Sequence, residues 1–178
     1  MQNKYANKNK PNILLLRYEE YGFLEKILGD ANTEILNNAK VPVWIIPEES
    51  SLSIPGKIAY ITDHRQGDID ALKKLVLLSE IFNASIHFVH VMDKDVFESR
   101  IKKEGFINIV NEEFVDNNFN HLEIKRNKMT RAVQDLIREK DINLLTMRNE
   151  SENFLNRYFT RSSVEKIIDS VKISLVIY

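Results

Sequence analysis

Asp63 follows a short apolar stretch, Ile58 to Thr62, and precedes a polar loop, so its carboxylate stands where a strand hands over to a helix. An acid there can accept hydroxyls from a ligand, or it can only collect backbone N–H groups of its own loop. Asp93 stands in the same way after a second apolar stretch, and the two together read either as a paired-carboxylate site or as solvated loop acids. Four histidines, His64, His87, His90 and His121, are metal ligands by type. No HExxH or other paired spacing supports a metal, and His87 and His90 fall on opposite faces of one strand. Arg126, Lys128, Arg131, Arg157 and Arg161 could rim an anion site, but Glu150, Glu152 and Glu165 dilute them into a mixed solvated face. Ser162 and Ser163 either donate to an anion or bond locally at a helical turn. With no cysteine, a disulfide framework, a thiol nucleophile and a Cys-based zinc site are excluded. The serine-hydrolase GxSxG elbow is absent as well.

These residues belong to a chain of 178 residues, 43% hydrophobic and 29% charged, with a net charge of -1. That balance describes a soluble globular protein with one core, and it carries neither a nucleic-acid footprint nor a polybasic membrane patch. The amino end, MQNKYANKNK, is polar, and apolar runs such as Ile13 to Leu16 and Val41 to Ile46 are far too short to span a bilayer. The expectation is a cytoplasmic protein without nucleic-acid or membrane partners.

The elements that must position the candidate residues are clearest from Lys57 to Val91, which reads as strand, loop, helix, strand. Ile58 to Thr62 and Ser85 to Val91 are short and rich in β-formers, as parallel strands covered on both faces should be. Between them Asp68 is placed to cap a helix whose apolar face is drawn from Ile69, Leu72, Val76, Leu77, Leu78, Ile81 and Phe82, with Asn83 suited to a left-handed ending. A helix from about Asp95 to Glu113 follows, carried by Val96, Ile101, Phe106, Ile109 and Val110. Phe119 to Lys125 alternates polar and apolar, which suits an outer strand. Met129, Val133, Leu136 and Ile137 then give a helix one buried face. Ile142 to Met147, Phe154 to Val171 and Ile173 to Tyr178 complete the pattern as strand, helix and strand. From Lys57 onward the chain alternates β and α throughout, the signature of an open doubly wound parallel sheet with helices on both faces. A response-regulator receiver would need its phospho-accepting Asp after the third strand, where this chain has Arg126, Asn127 and Lys128.

Upstream, Asn12 to Leu16 and Val41 to Ile46 read as strands around a helix over Tyr21 to Asn38. Sliding this segment along the chain until Ile35 falls on Ile167 also lays Lys40 on Lys172 and Ile45 on Ile177. The expected organisation is therefore a polar leader (1–11), a strand-helix-strand remnant of a first domain (12–47), a Pro- and Ser-rich linker (48–56) and a complete domain (57–178). The remnant cannot bury two parallel strands alone and must lean on the complete domain or on another chain.

The stretches YITDHRQGDIDALKKL, FNASIHFVHVMD and SENFLNRYFTRSSVEKIIDSVKISLVI resemble the universal stress protein family, especially its tandem-domain members with diverged second domains. The resemblance runs from Asn12 to the end. It implies an adenine nucleotide alpha hydrolase-like five-stranded sheet of order 3-2-1-4-5. It also implies a stress-response module that dimerises through its last strand, here either between chains or within one, by Val41 to Ile46 against Ile173 to Tyr178. ATP-binding members carry three spaced glycines followed by Ser or Thr, which let backbone N–H groups reach the phosphates. The corresponding positions here are Arg148, Ser151, Arg161 and Ser162, so the glycines are gone; in the remnant they are Leu16, Glu19, Gly29 and Asp30. Asp63 matches the family acid that meets the nucleoside, and Val91 the strand backbone that reads adenine. The alternative for each is a loop acid and a core residue. The expectation is a non-enzymatic module without a cofactor. The alternative is an ATP- or AMP-binding sensor, or weak hydrolase, with Asp63, Val91, Arg148, Arg161 and Ser162 forming a degenerate crevice in which arginines grip the anion.

Overall fold

The computed structural model describes residues 12–18, 41–48, 50, 54–65, 67–92, 96–117, 119–125, 129–148 and 161–178. The strands are β1 (Leu14–Tyr18), β2 (Val43–Pro47), β3 (Lys57–Thr62), β4 (Ser85–Met92), β5 (Asn120–Lys125), β6 (Leu144–Met147) and β7 (Ser174–Ile177). The helices among the described residues are α1 (Gly67–Phe82), α2 (Val96–Glu113), α3 (Met129–Lys140) and α4 (Arg161–Val171). One sheet runs in the order β1-β2-β7-β6-β3-β4-β5. From β3 onward its neighbours are all parallel, and the order is the expected 3-2-1-4-5.

Among the described residues the sheet has seven strands, the five expected of the complete domain and two more, because β2 pairs antiparallel with β7 within the chain and brings β1 with it. Val43 faces Ile177 and Ile45 faces Leu175 across this junction, with Trp44 opposite Val176 at its centre. The first two strands start two residues later than the apolar runs suggested. Their register, from Leu14↔Val43 to Tyr18↔Pro47, fixes where pairing begins. The helix expected over Tyr21 to Asn38 and the first turns of the one expected from Phe154 lie outside the described residues.

Side-chain alternation along the parallel strands sorts the core into two layers. Ala59, Ile61, Val89, Val91, Leu145, Met147, Leu175 and Ile177 join one cluster with α3 and α4, in which Met129, Val133, Leu136 and Ile137 are buried as their spacing foretold. Ile58, Tyr60, Ile86, Phe88, Leu144 and Val176 face the other way, onto α1 and α2. The buried stripe of α1 is Asp68, Ala71, Leu72, Leu75, Val76 and Ser79. Leu77 and Ile81, expected in it, are 61% and 75% exposed, since each is rotated by about 100° from the inward positions beside it. In α2, Phe106 and Val110 are buried but Ile101 and Ile109 are exposed.

Asn83 does end α1 in the left-handed region (φ 52), where Ala84 N–H donates to Ser79 O at 2.8 Å and Asn83 N–H to Glu80 O at 3.2 Å. That is the Schellman arrangement. Asp141 (φ 55) and Lys172 (φ 49) close α3 and α4 in the same region. α1, α3 and α4 thus stop within two or three residues of the next strand, which fixes where the amino ends of β4, β6 and β7 stand.

Candidate functional site

The chain leaves β3 toward β4 on one side and returns to β6 on the other, so the topological switch point of the sheet lies between the carboxyl ends of β3 and β6. Asp68, in the first turn of α1, is the hub beside it. Its carboxylate is 2% exposed and accepts from Tyr60 Oη (2.7 Å), Thr62 Oγ1 (2.6 Å) and Arg65 N–H (3.0 Å). Arg148, the residue after β6, is also buried and brings Nε within 3.3 Å of Asp68 Oδ1. Asp68 was expected to cap its own helix. It instead ties the preceding loop and two strand hydroxyls to α1, because Tyr60 and Thr62 alternate onto the α1 face and a buried carboxylate requires such donors.

Asp63 sits on the loop after β3, and its Oδ2 accepts from Arg65 Nε at 2.8 Å. Its side chain is almost wholly covered, and Oδ1 is buried with no hydrogen-bond partner. Burial pushes the Asp63 carboxyl up from its ordinary value, the negative charge of Asp68 adds to this, and Arg65 and Arg148 pull the other way. The Tyr60 phenol is likewise raised, first by burial and then by Asp68.

Next to the hub on the same face stands a second polar cluster. His64 and His90 approach at 2.6 Å between Nε2 and Nδ1, and His90 Nε2 lies 2.8 Å from His121 Nδ1. His90 is fully buried, and Phe88 and Phe106 pack against it. His64 has φ 63, an uncommon conformation for a residue with a Cβ, and its N–H donates to Thr62 Oγ1 at 3.0 Å. Burial is the first cause that lowers all three imidazoles, His64 to about 4 and His90 to about 3. Sequence reasoning missed this cluster because the approach of His90 to His121 depends on the register between β4 and β5, where Phe88 pairs with His121. His87 lies apart on the opposite face, within 3.3 Å of Ser85 Oγ. Among the described residues no group of three or more His, Cys, Asp or Glu side chains is disposed to hold a metal ion.

The structure brings Asp63 and Arg148 to one end of the sheet. The Val91 side chain is 3% exposed within the core, one residue beyond the last β3–β4 pair. Arg161 and Ser162 open α4, but their side chains, like Asp93, Arg126, Lys128, Ser151 and Arg157, lie outside the described residues. Arg131, the described member of the basic set on α3, is exposed and lies 3.7 Å from Asp135.

No family model matches the sequence, and no curated protein does. Solved structures do. A universal stress protein from Archaeoglobus fulgidus superposes with TM-score 0.62 at 16% identity, covering 97% of this chain and 62% of its own. The fold is that of the universal stress proteins. The cytoplasmic domain of a prokaryotic cation chloride cotransporter is similar over 99% of this chain and 67% of its own (TM-score 0.60, 13% identity). A universal stress protein in complex with cAMP matches 70% of this chain and 97% of its own (TM-score 0.51, 13% identity). The chain thus spans 62% of the Archaeoglobus structure. No described helix is long and apolar enough to cross a membrane. Arg148, which the sequence resemblance aligns with the first phosphate-binding glycine, has its Nε 3.3 Å from Asp68 Oδ1.

Proposed function

We propose that this chain is a universal stress-type binding and regulatory module without catalysis, in which the usual triphosphate mode is lost. The observation that carries the reading is the buried Arg148–Asp68 pair with its two hydroxyl donors. The resemblance aligns Arg148 with a glycine whose backbone N–H groups ATP-binding relatives need bare, and Asp68 already supplies an opposite charge to its guanidinium. Calorimetric and thermal-shift titrations with ATP, AMP and a panel of anions should give no response. Saturable binding that Arg161→Ala abolishes would overturn the reading.

A second reading, a nucleotide or anion sensor or weak ATP hydrolase built on Asp63, Val91, Arg148, Arg161 and Ser162, is favoured by one observation. Asp63 Oδ1 is a buried acceptor without a donor, and a ligand hydroxyl would supply one. The cAMP complex on the same fold is consistent with it.

For assembly we infer an intrachain pseudo-dimer rather than a homodimer, with residues 12–47 as the remnant of a first domain leaning on a complete domain over 57–178. Under the repeat, Ile45 matches Ile177, so the pairs Val43↔Ile177 and Ile45↔Leu175 exchange with one another, as an isologous junction requires. Light scattering at micromolar concentration should show monomers; stable dimers would favour pairing between chains.

A further inference from the structure

The contacts along His64, His90 and His121 restrict where protons can be. Ring centroids are 4.8 and 5.1 Å apart with interplanar angles of 23° and 11°. These separations are only about two ring radii longer than the N···N contacts of 2.6 and 2.8 Å. The rings therefore meet edge to edge in nearly a common plane, the geometry of N–H···N hydrogen bonds. Each contact holds one proton: with none, two lone pairs collide, and with two, the hydrogens do.

Proton counting follows directly. In the neutral chain all three rings must share one tautomer. If each is Nε2–H, the chain donates toward His121; if each is Nδ1–H, it donates toward His64. One added proton occupies the vacant outer nitrogen, leaves both contacts intact and places a single positive charge that any of the three rings can carry. A second added proton has no site except inside a contact, which it breaks.

We propose that His64, His90 and His121 form one proton-carrying unit, an imidazole wire that takes up a single shared proton and joins the loop after β3 to solvent at the β5 edge. Its middle ring is sealed by Phe88 and Phe106, so protons enter and leave through His64 Nδ1 and His121 Nε2 alone. Reversal of the chain converts His64 from donor to acceptor at the loop that carries Asp63, in step with His121 on the outer strand. The charged groups facing the unit are Asp68 from α1 and Lys102, Lys103 and Glu104 from α2. Lys103 is itself paired with Glu123 of β5, the residue opposite His90. Burial and the two lysines hold the unit neutral near pH 7, which leaves the tautomer direction as its variable. The unit is independent of whether the crevice takes a nucleotide.

Long-range 1H–15N spectra of the imidazoles test this on the intact chain. At pH 7 the three rings should show the same tautomer, all Nε2–H or all Nδ1–H. On acidification their nitrogen signals should move together with one common first midpoint, since sites coupled by more than about one pH unit titrate as a set. His121→Gln, on the half-exposed outer strand, should displace the His64 midpoint although the two rings are linked only through His90. Mixed tautomers in the unaltered chain would overturn the proposal without any variant. So would three separate midpoints, or a His64 titration indifferent to His121→Gln.

Discussion

Two buried polar clusters stand side by side on the α1/α2 face of the sheet, and they are held by opposite means. Around Asp68 the partners are fixed by charge: a carboxylate, a guanidinium and two hydroxyls can bond in only one sense. Along His64, His90 and His121 every partner is both donor and acceptor, so the same contacts exist in two directions. The first cluster can only be kept or broken. The second can change state without moving an atom heavier than hydrogen. This end of the sheet therefore has a rigid wall and a switchable one, and substitutions should separate them.

The largest effect should come from the rigid wall. Asp68→Ala removes the carboxylate beside buried Arg148 and strips Tyr60 and Thr62 of their acceptor, which costs about 3–5 kcal/mol. Urea unfolding should show it as a lowered midpoint. Asp68→Ala combined with Arg148→Met should recover part of that loss, because the stranded charge, rather than the missing bond, is the main penalty. Equal losses in the single and double variants would show that Arg148 is not held by Asp68.

His90→Ala comes next, at roughly 2–4 kcal/mol from the cavity beside Phe88 and Phe106 and from two orphaned imidazoles. The loss should be the same in 0.5 M salt as without it, to within about the precision of the fit, since a neutral chain is not screened as an ion pair is. A salt-sensitive loss would place charge on the chain at neutral pH.

Much of this architecture was legible in the sequence, and what was not has identifiable physical causes. The order of strands and helices, the left-handed residue Asn83 and the buried face of α3 follow from local periodicity, which local residue types determine. The inward faces of α1 and α2 were read too widely, since Leu77, Ile81, Ile101 and Ile109 are apolar yet point to solvent. Hydrophobicity alone cannot say which of several apolar stripes meets the sheet. Asp63 and Arg148 lie at one end of the sheet, but the hub between them was not foreseen. A carboxylate at a helix start reads as a cap until Tyr60 and Thr62 are seen on the same side. The histidine chain was least legible, because it joins a loop and two strands through a register that no single segment encodes.

The switchable wall also predicts a pH dependence, with a sign opposite to that of Asp63. Folding lowers the imidazoles from 6.5, His64 to about 4 and His90 to about 3, so the unfolded chain takes up protons first as the pH falls. The stability they contribute is complete above about pH 6.5 and is lost progressively toward pH 4 and below. His64→Gln should shrink the difference in urea midpoint between pH 7.5 and pH 5. An unchanged difference would assign the acid sensitivity elsewhere.

The smallest effect distinguishes two carboxylates five residues apart in sequence. Asp63 is raised by burial, so its folded state already favours the protonated form; the stability this gives is present below the unfolded value of 3.8 and fades as pH rises through the folded one. Burial and Asp68 thus work against the ionised form of Asp63, and Arg65, itself one-third exposed, only partly relieves this. Asp63→Asn should then change stability by no more than about 1 kcal/mol in either direction, against several for Asp68→Ala. A loss as large as that of Asp68→Ala would mean that Asp63 braces the fold as well, and that its buried Oδ1 is not waiting for a ligand.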